Sequence, residues 1–296
     1  MKIRRGLAVA GLALLAACAG ASAPKPEAAP KPALWKLADA DTTIYLFGTI
    51  HVLPKDYGWR TPAFDKAVAQ SDSLVLEVTD TEDTAQTAQD FLAIAITPGQ
   101  PPVVERVPEA KRAQLKQLID KAGVPAKALD QFDSWAVAIT LAAGMLKELN
   151  VSPDYGVERL LTADFKAKKK PVTGLETSAY QLGLFDKLPE AAQRSFLTSM
   201  VDESANPKAE FDSMIAAWSR GDEKAIALTF DDEVQMTPEL LETLLVNRNR
   251  NWADWLAKRL DKPGTVMVAV GAGHLAGESS VQTILAERGF KVTRVQ

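Results

Sequence analysis

The chain has two histidines, and both stand in the same local context. Gly48-Thr49-Ile50-His51 follows the apolar run Ile44-Tyr45-Leu46-Phe47. Gly271-Ala272-Gly273-His274 follows Val266-Met267-Val268-Ala269-Val270. Two further apolar runs end in carboxylates: Leu74-Val75-Leu76 meets Glu77, and Val172-Thr173-Gly174-Leu175 meets Glu176. The motif glycines Gly48 and Gly271 let the backbone approach a ligand where a side chain would clash. Two imidazoles with one or two carboxylates form a ligand set for Zn, Mn, Co or Fe(II) that leaves positions open for water. Such an ion acidifies its water and polarises a carbonyl, which is what hydrolysis needs. A carboxylate outside the ligand set would serve as general base.

Plainer readings exist for each residue. A histidine at a strand end is commonly just a hydrogen-bonded polar group, although two in the same context are harder to dismiss. Glu77, closing an apolar run, needs a cation beside it, either a metal or a partner such as Arg248, because an unpaired buried carboxylate is costly. Glu176 divides between a site role and a carboxylate at the N-terminus of a helix over 177–186. Glu158, in Gly156-Val157-Glu158, falls in the first turn of its own helix. Arg248-Asn249-Arg250-Asn251-Trp252 opens a helix from Asn247 to Leu260. Its Arg248 and Trp252 share a face at i, i+4 spacing, and the guanidinium there could orient a substrate carboxylate or an oxyanion.

Other chemistries lack their residues. Cys18 is the single cysteine, and it lies ahead of the folded domain, so disulfides, thiolate ligands and a cysteine nucleophile are excluded from that domain. There is no Gly-x-Ser-x-Gly elbow and no Walker loop. Gly271-x-Gly273-His274-x-x-Gly277 carries a histidine, lies near the C-terminus and has no strand-end acid after it, so it is not a dinucleotide loop.

The elements that must position these residues read as alternating strands and helices. Strands are expected at Leu34–Leu37, Thr43–Phe47, Ser73–Val78, Pro171–Leu175, Thr265–Val270 and Phe290–Val295. Helices are expected at Pro62–Gln70, Asp83–Ile96, Glu109–Ala122, Ser134–Leu149, Tyr155–Lys168 and Ser279–Arg288, and through most of Pro189–Leu260. This is an α/β pattern: a central, mostly parallel or mixed sheet with helices on its faces and large helical insertions at 83–165 and 178–260. In such sheets ligands bind beyond the carboxyl ends of the strands, where these four residues fall. Lys168-Lys169-Lys170 reads as the solvated end of a helix.

The 296 residues are 47% hydrophobic and 24% charged, an ordinary globular composition with ample core. Lys2, Arg4 and Arg5 precede an apolar run, Gly6–Ala17. That run is shorter than the roughly 20 residues of a membrane-spanning helix, so residues 1–17 read as a signal peptide. Leu15-Ala16-Ala17-Cys18 resembles a bacterial lipobox, with Cys18 the lipidated first residue. The alternative is cleavage after Ala23 to a soluble periplasmic protein. Residues 18–33 read as an Ala/Pro-rich tether ahead of one domain over 34–296. Ala19 lacks the aspartate that retains lipoproteins at an inner membrane, so the periplasmic side of the outer membrane is the expected site. Without Lys2, Arg4 and Arg5 the net charge is −7, which argues against nucleic acid as partner.

Leu46-Phe47-Gly48-Thr49-Ile50-His51, Glu77, Gly174-Leu175-Glu176-Thr177, Arg248-Asn249 and Val270-Gly271-Ala272-Gly273-His274 together resemble the TraB/PrgY/GumN family, in that order along residues 34 to 296. The animal Tiki proteases belong to the same broad group, and the resemblance implies a fold like the erythromycin esterase and ChaN-like proteins. It further implies a metalloprotease-type site using a divalent ion such as Mn or Co, on the two Gly-x-x-His motifs and Glu77. The substrate would be a peptide or another small molecule of the envelope. Two other readings stand beside this one: a ChaN-like lipoprotein that holds haem or iron, and a non-catalytic envelope factor that grips a protein partner.

Overall fold

The computed structural model describes residues 29–79, 84–146, 149–228 and 237–296. The expected signal peptide, Cys18 and the start of the expected tether lie outside the described residues. Among the described residues eight strands form: β1 Leu34–Ala38, β2 Thr42–Thr49, β3 Leu53–Pro54, β4 Ser73–Leu76, β5 Val151–Ser152, β6 Val172–Gly174, β7 Gly264–Gly271 and β8 Val292–Arg294. Six of them make one sheet in the order β6-β4-β7-β2-β1-β8, while β3 and β5 form a separate short ribbon that the sequence pattern does not announce. β6, β4, β7 and β2 run parallel, and β1 turns back antiparallel on β2. The turn between β1 and β2 is held by Asp39, whose Oδ1 accepts from the Thr42 amide at 2.8 Å.

Both faces of the sheet are covered, which is why its strands read as continuous apolar runs. Val266, Val268 and Val270 of β7, with Ile44, Leu46 and Val75, face one core, and Met267, Ala269, Leu74, Leu76 and Phe47 face the other. That alternation is the period of a strand buried on both sides. The first core is closed by α12 Asn247–Arg259 and α13 Val281–Glu287. The second, larger core takes α1 Pro62–Gln70, α5 Ser134–Leu146, α6 Val157–Ala167, α8 Glu190–Glu203 and α9 Pro207–Ser219. α1 begins as the sequence predicts, with Pro62 at its first position and Thr61 Oγ1 capping the Phe64 amide. α5 is apolar nearly all round because it is enclosed and packs on α8.

Three expectations need adjustment. The strand expected over Ser73–Val78 stops at Leu76, so Glu77 stands just past its end. Residues 29–33 are not free tether: the Lys31 amide donates to Ser219 O at 2.7 Å, and Gln296 Nε2 donates to Pro32 O at 2.7 Å. Lys170 is not a solvated helix end either, since its Nζ caps the carbonyls of Ala69 and Ser71 behind α1.

Candidate active site

The four strand ends converge as the parallel order requires. β4 and β6 are neighbours, and their pairing continues past both strands: Leu175 N donates to Leu76 O, and Glu176 N to Glu77 O, each at 2.8 Å. The two carboxylates are therefore side by side. β7 runs between β4 and β2, so the loop Gly271–His274 lies between Glu77 and His51. The Gly271 amide donates to Glu77 Oε1 at 2.6 Å. A Cβ on Gly271 would sit 3.1 Å from Glu77 Oε1, 3.7 Å from His274 Cδ2 and 3.9 Å from His51 Nε2. The missing side chain thus opens the point at which both imidazoles and Glu77 meet. Gly48 serves contact between the two histidine loops, for a Cβ there would come within 3.0 Å of Ala272 Cα.

Each histidine is held by its Nδ1. His51 Nδ1 lies 2.6 Å from Glu158 Oε1, and that oxygen also accepts from Thr49 Oγ1. Glu158 is on the first turn of α6, which is packed against this loop through a hydrogen bond from Val157 N to Ile50 O at 3.1 Å. The His51 side chain is 39% exposed, so it forms the mouth of the site. Burial pulls its imidazole pKa down, but the charge and hydrogen bond of Glu158 outweigh this and raise it to about 9. His274 is buried and its Nδ1 is 2.6 Å from Asn249 Oδ1. The Asn249 Nδ2 donates to Ser279 O at 2.7 Å, which fixes the amide and places the imidazole proton on Nδ1. Burial and then the neighbouring Arg248 push His274 down to about 3, keeping it neutral. Trp252 lies against the ring at 4.3 Å between centroids.

Arg248 is the centre of the buried part. Its Nη2 donates to Glu77 Oε2 at 2.6 Å and Glu176 Oε2 at 2.8 Å, and its Nε to both Glu176 oxygens at 3.1 Å. Nη1 donates to Leu244 O and to His274 Nε2, both at 3.0 Å. All five guanidinium N–H bonds are accounted for. The expectation that Arg248 orients a substrate is therefore corrected: no donor remains for one in this arrangement. Glu176 is likewise no free base. Its Oε1 accepts from Trp252 Nε1 at 3.0 Å and its Oε2 from Gln181 Nε2 at 2.9 Å, in addition to the arginine. The choice left open for the cation beside Glu77 is answered by the arginine. Burial alone would raise the Glu77 pKa, but the surrounding His274, Arg248 and His51 groups hold it well below the ordinary carboxylate range.

Glu158 and the motif residue Asn249 take definite places here, and Gln181, bridging Glu77 and Glu176, is a residue the sequence reading passed over. The signal for Gln181 was its place one turn into the helix after Glu176. For Asn249 it was adjacency to Arg248.

Among the described residues no three or more His, Cys, Asp and Glu side chains are closed around a point for an ion. The donor types present, two imidazoles and a carboxylate, are nevertheless those of a divalent-ion site. Both Nδ1 atoms are tied to outer partners, as in metal-ligating histidines, and His274 Nε2 is 3.7 Å from Glu77 Oε1. Glu77 and Glu176 face the single guanidinium of Arg248, while Glu158 pairs with His51. With His51 charged against Glu158, the Arg248 pair of carboxylates carries one negative charge in excess.

A family model described as TraB/PrgY/gumN matches residues 33–294. Among curated proteins the chain is similar to the uncharacterized protein YbaP of Escherichia coli (strain K12) and to that of Shigella flexneri. Each is 25% identical over 242 residues, covering 81% of this chain and 87% of the relative. No solved structure gives a significant match.

Proposed function

The chain belongs to the TraB/PrgY/gumN family, and from that membership and the strand-end cluster we propose that it is a metal-dependent hydrolase of the cell envelope, with peptide or amide bonds as its substrates. The observation that carries the reading is the paired presentation of His51 and His274. Each has its Nδ1 tied to an acceptor, and His51 Nε2 and the Cδ2 edge of His274 border the opening at Gly271, beside Glu77. His51, His274 and Glu77 would hold an ion such as Mn, Co or Zn. When bound, that ion supplies Lewis acidity, acidifying water and polarising a carbonyl.

The protein's own groups have separable tasks. Glu158 orients His51 and determines when its Nε2 gives up a proton. Asn249 fixes the tautomer of His274. Arg248 and Glu176 neutralise and aim Glu77, whose Oε1 is held by the Gly271 amide. The exposed His51 is the group that an incoming substrate meets first.

The test measures divalent metal content and affinity of the purified chain beside the His51→Ala/His274→Ala variant, followed by peptide hydrolysis with each metal. Binding of about one ion by wild type, abolished in the variant together with turnover, is expected. Absence of metal in both would sink the reading and favour a partner-binding envelope protein. A coloured, haem-loaded preparation would instead favour the iron-carrying alternative. We place the protein at the periplasmic face of a membrane through lipid on Cys18, a reading supported by the leader and lipobox-like residues. The Cys18→Ser chain should then move from the membrane to the soluble fraction.

A further inference from the structure

The chain enters the domain at the end of the sheet that carries the site. β1 is antiparallel to β2 and Leu34 pairs with Phe47, so the residues before Leu34 lie where His51, Glu77, Glu176 and His274 emerge. They are fastened there. The Lys31 amide donates to Ser219 O, and the adjacent Trp218 Nε1 donates to Gly48 O at 2.8 Å, in the first histidine motif itself. The chain leading back to Cys18 therefore leaves the domain on the side to which the partly exposed His51 opens. Cys18 precedes Ala29 by eleven residues, a reach of at most roughly 40 Å.

Among the described residues five large side chains with apolar bodies are exposed: Leu92, Ile96, Tyr180, Leu228 and Val295. Scattered singly they would be ordinary, but three of them share this one end of the sheet. Tyr180 stands beside Gln181, whose amide touches Glu77 and Glu176 past the ends of β4 and β6. Leu228, 67% exposed, ends a helix over Glu223–Leu228 that packs on the His274 turn, where Ala227 lies against Gly277. The Val295 amide donates to Leu34 O just past the end of β8. The three thus span the sheet from β6 through β7 to β8, roughly 25 Å for six strands. A flat apolar boundary can touch all of them at once, and Tyr and Leu are side chains that settle at a lipid–water interface.

We infer that this end of the sheet is a membrane-docking face: Tyr180, Leu228 and Val295 rest on the bilayer that holds the lipid of Cys18, and bring the mouth at His51 to the lipid–water boundary. The inference rests on the anchoring through Cys18 proposed above and is independent of whether the site binds a metal. The short connection keeps the domain near the surface, and the apolar rim fixes which end is turned toward it. The excess of acidic residues in the chain favours contact through these apolar groups over attraction to anionic headgroups.

The experiment uses the full-length lipoprotein in vesicles of phosphatidylethanolamine and phosphatidylglycerol, with or without a nitroxide-bearing phospholipid. Because lipid occupies the Cys18 thiol, a nitrobenzoxadiazole fluorophore can be placed on one introduced cysteine at a time. The positions are Tyr180→Cys, Leu228→Cys, Val295→Cys and, in the exposed β1–β2 turn at the opposite end of the sheet, Ala40→Cys. Emission at the three rim positions should shift to the blue on vesicle binding and be quenched several-fold more by the nitroxide lipid than at Ala40→Cys. Equal quenching at all four positions, or none at the rim, in a vesicle-bound chain overturns the inference. Blue-shifted but unquenched rim labels also overturn it, because protein rather than lipid then covers the face. A chain that carries no lipid on Cys18 by mass spectrometry and stays in solution overturns the anchoring and this inference with it, and leaves the metal-dependent reading to its own test.

Discussion

His51 and His274 share a Gly-x-x-His context, yet their surroundings drive them to opposite charge states. At His51 a carboxylate 2.6 Å away outweighs desolvation and raises the pKa to about 9. At His274 burial and Arg248 lower it to about 3. Removing the carboxylate charge in Glu158→Gln leaves desolvation in command, so the His51 pKa should fall to 6.5 or below in an imidazole NMR titration. An unmoved value near 9 would contradict the assignment of Glu158 as its partner. At His274 the corresponding device is the Asn249 amide. In Asn249→Ala the buried Nδ1–H loses its acceptor, at a cost of about 1–3 kcal/mol in chemical denaturation. Metal affinity should fall about 10–100-fold, as when an outer-shell partner is lost. Unchanged stability and affinity together would assign the amide no role.

Among the elements, α6 and α12 decide what the strand ends can do. α6 begins at Gly156, where a Cβ would stand 2.0 Å from the His51 carbonyl oxygen. Glycine is therefore required for Glu158 to reach His51. Gly156→Ala should displace the loop after β2, destabilise the fold by about 1–3 kcal/mol, and return the His51 pKa toward its ordinary value. A variant with native stability and a pKa still near 9 would refute that dependence. α12 carries Arg248, Asn249 and Trp252 as one buried stripe, preceded by a π-helical turn over Glu242–Val246. The wider turn, closed by Asn247 N on Glu242 O, sets the phase in which consecutive residues 248 and 249 both face His274. Arg250 faces solvent, paired with Glu242 at 2.5 Å.

For the whole molecule the two histidines act on stability in opposite directions. The raised pKa of His51 gives stability that is full below pH 6.5 and is lost as pH rises through about 9. The depressed pKa of His274 gives stability that is full above pH 6.5 and is lost as pH falls toward about 3, with Glu77 adding to the loss on the acid side. Metal-free protein should therefore be most stable near pH 6.5. Its alkaline slope should be the shallower, since His51 is partly exposed and screened by solvent. Denaturant melts at several pH values check this; stability rising steadily from pH 6.5 to 9 would show that the Glu158–His51 pair is absent. Lys31 and Pro32 are tied to the domain through Ser219 and Gln296. No helix among the described residues is long and apolar enough to cross a membrane.

The α/β class, the two-sided sheet and the placing of His51, Glu77, Glu176 and His274 just past strand ends follow from the sequence by itself. Apolar runs that end abruptly in a charged or imidazole side chain encode both the strand and the edge at which its last polar group emerges. The cap of α1 was equally local, with Thr61 and Pro62 at its start. Which groups meet at the edge was decided by tertiary structure alone. Strand order β6-β4-β7-β2 sets Glu77 between Glu176 and Gly271, and no spacing in the chain encodes that order. Glu158 reaches His51 across more than a hundred residues because α6 docks beneath the loop. Arg248 turns inward because the π turn sets its phase and the two carboxylates supply the charge that makes its burial tolerable. Periodicity reports whether a position is buried, but the partner of a buried charge is fixed only when distant segments pack.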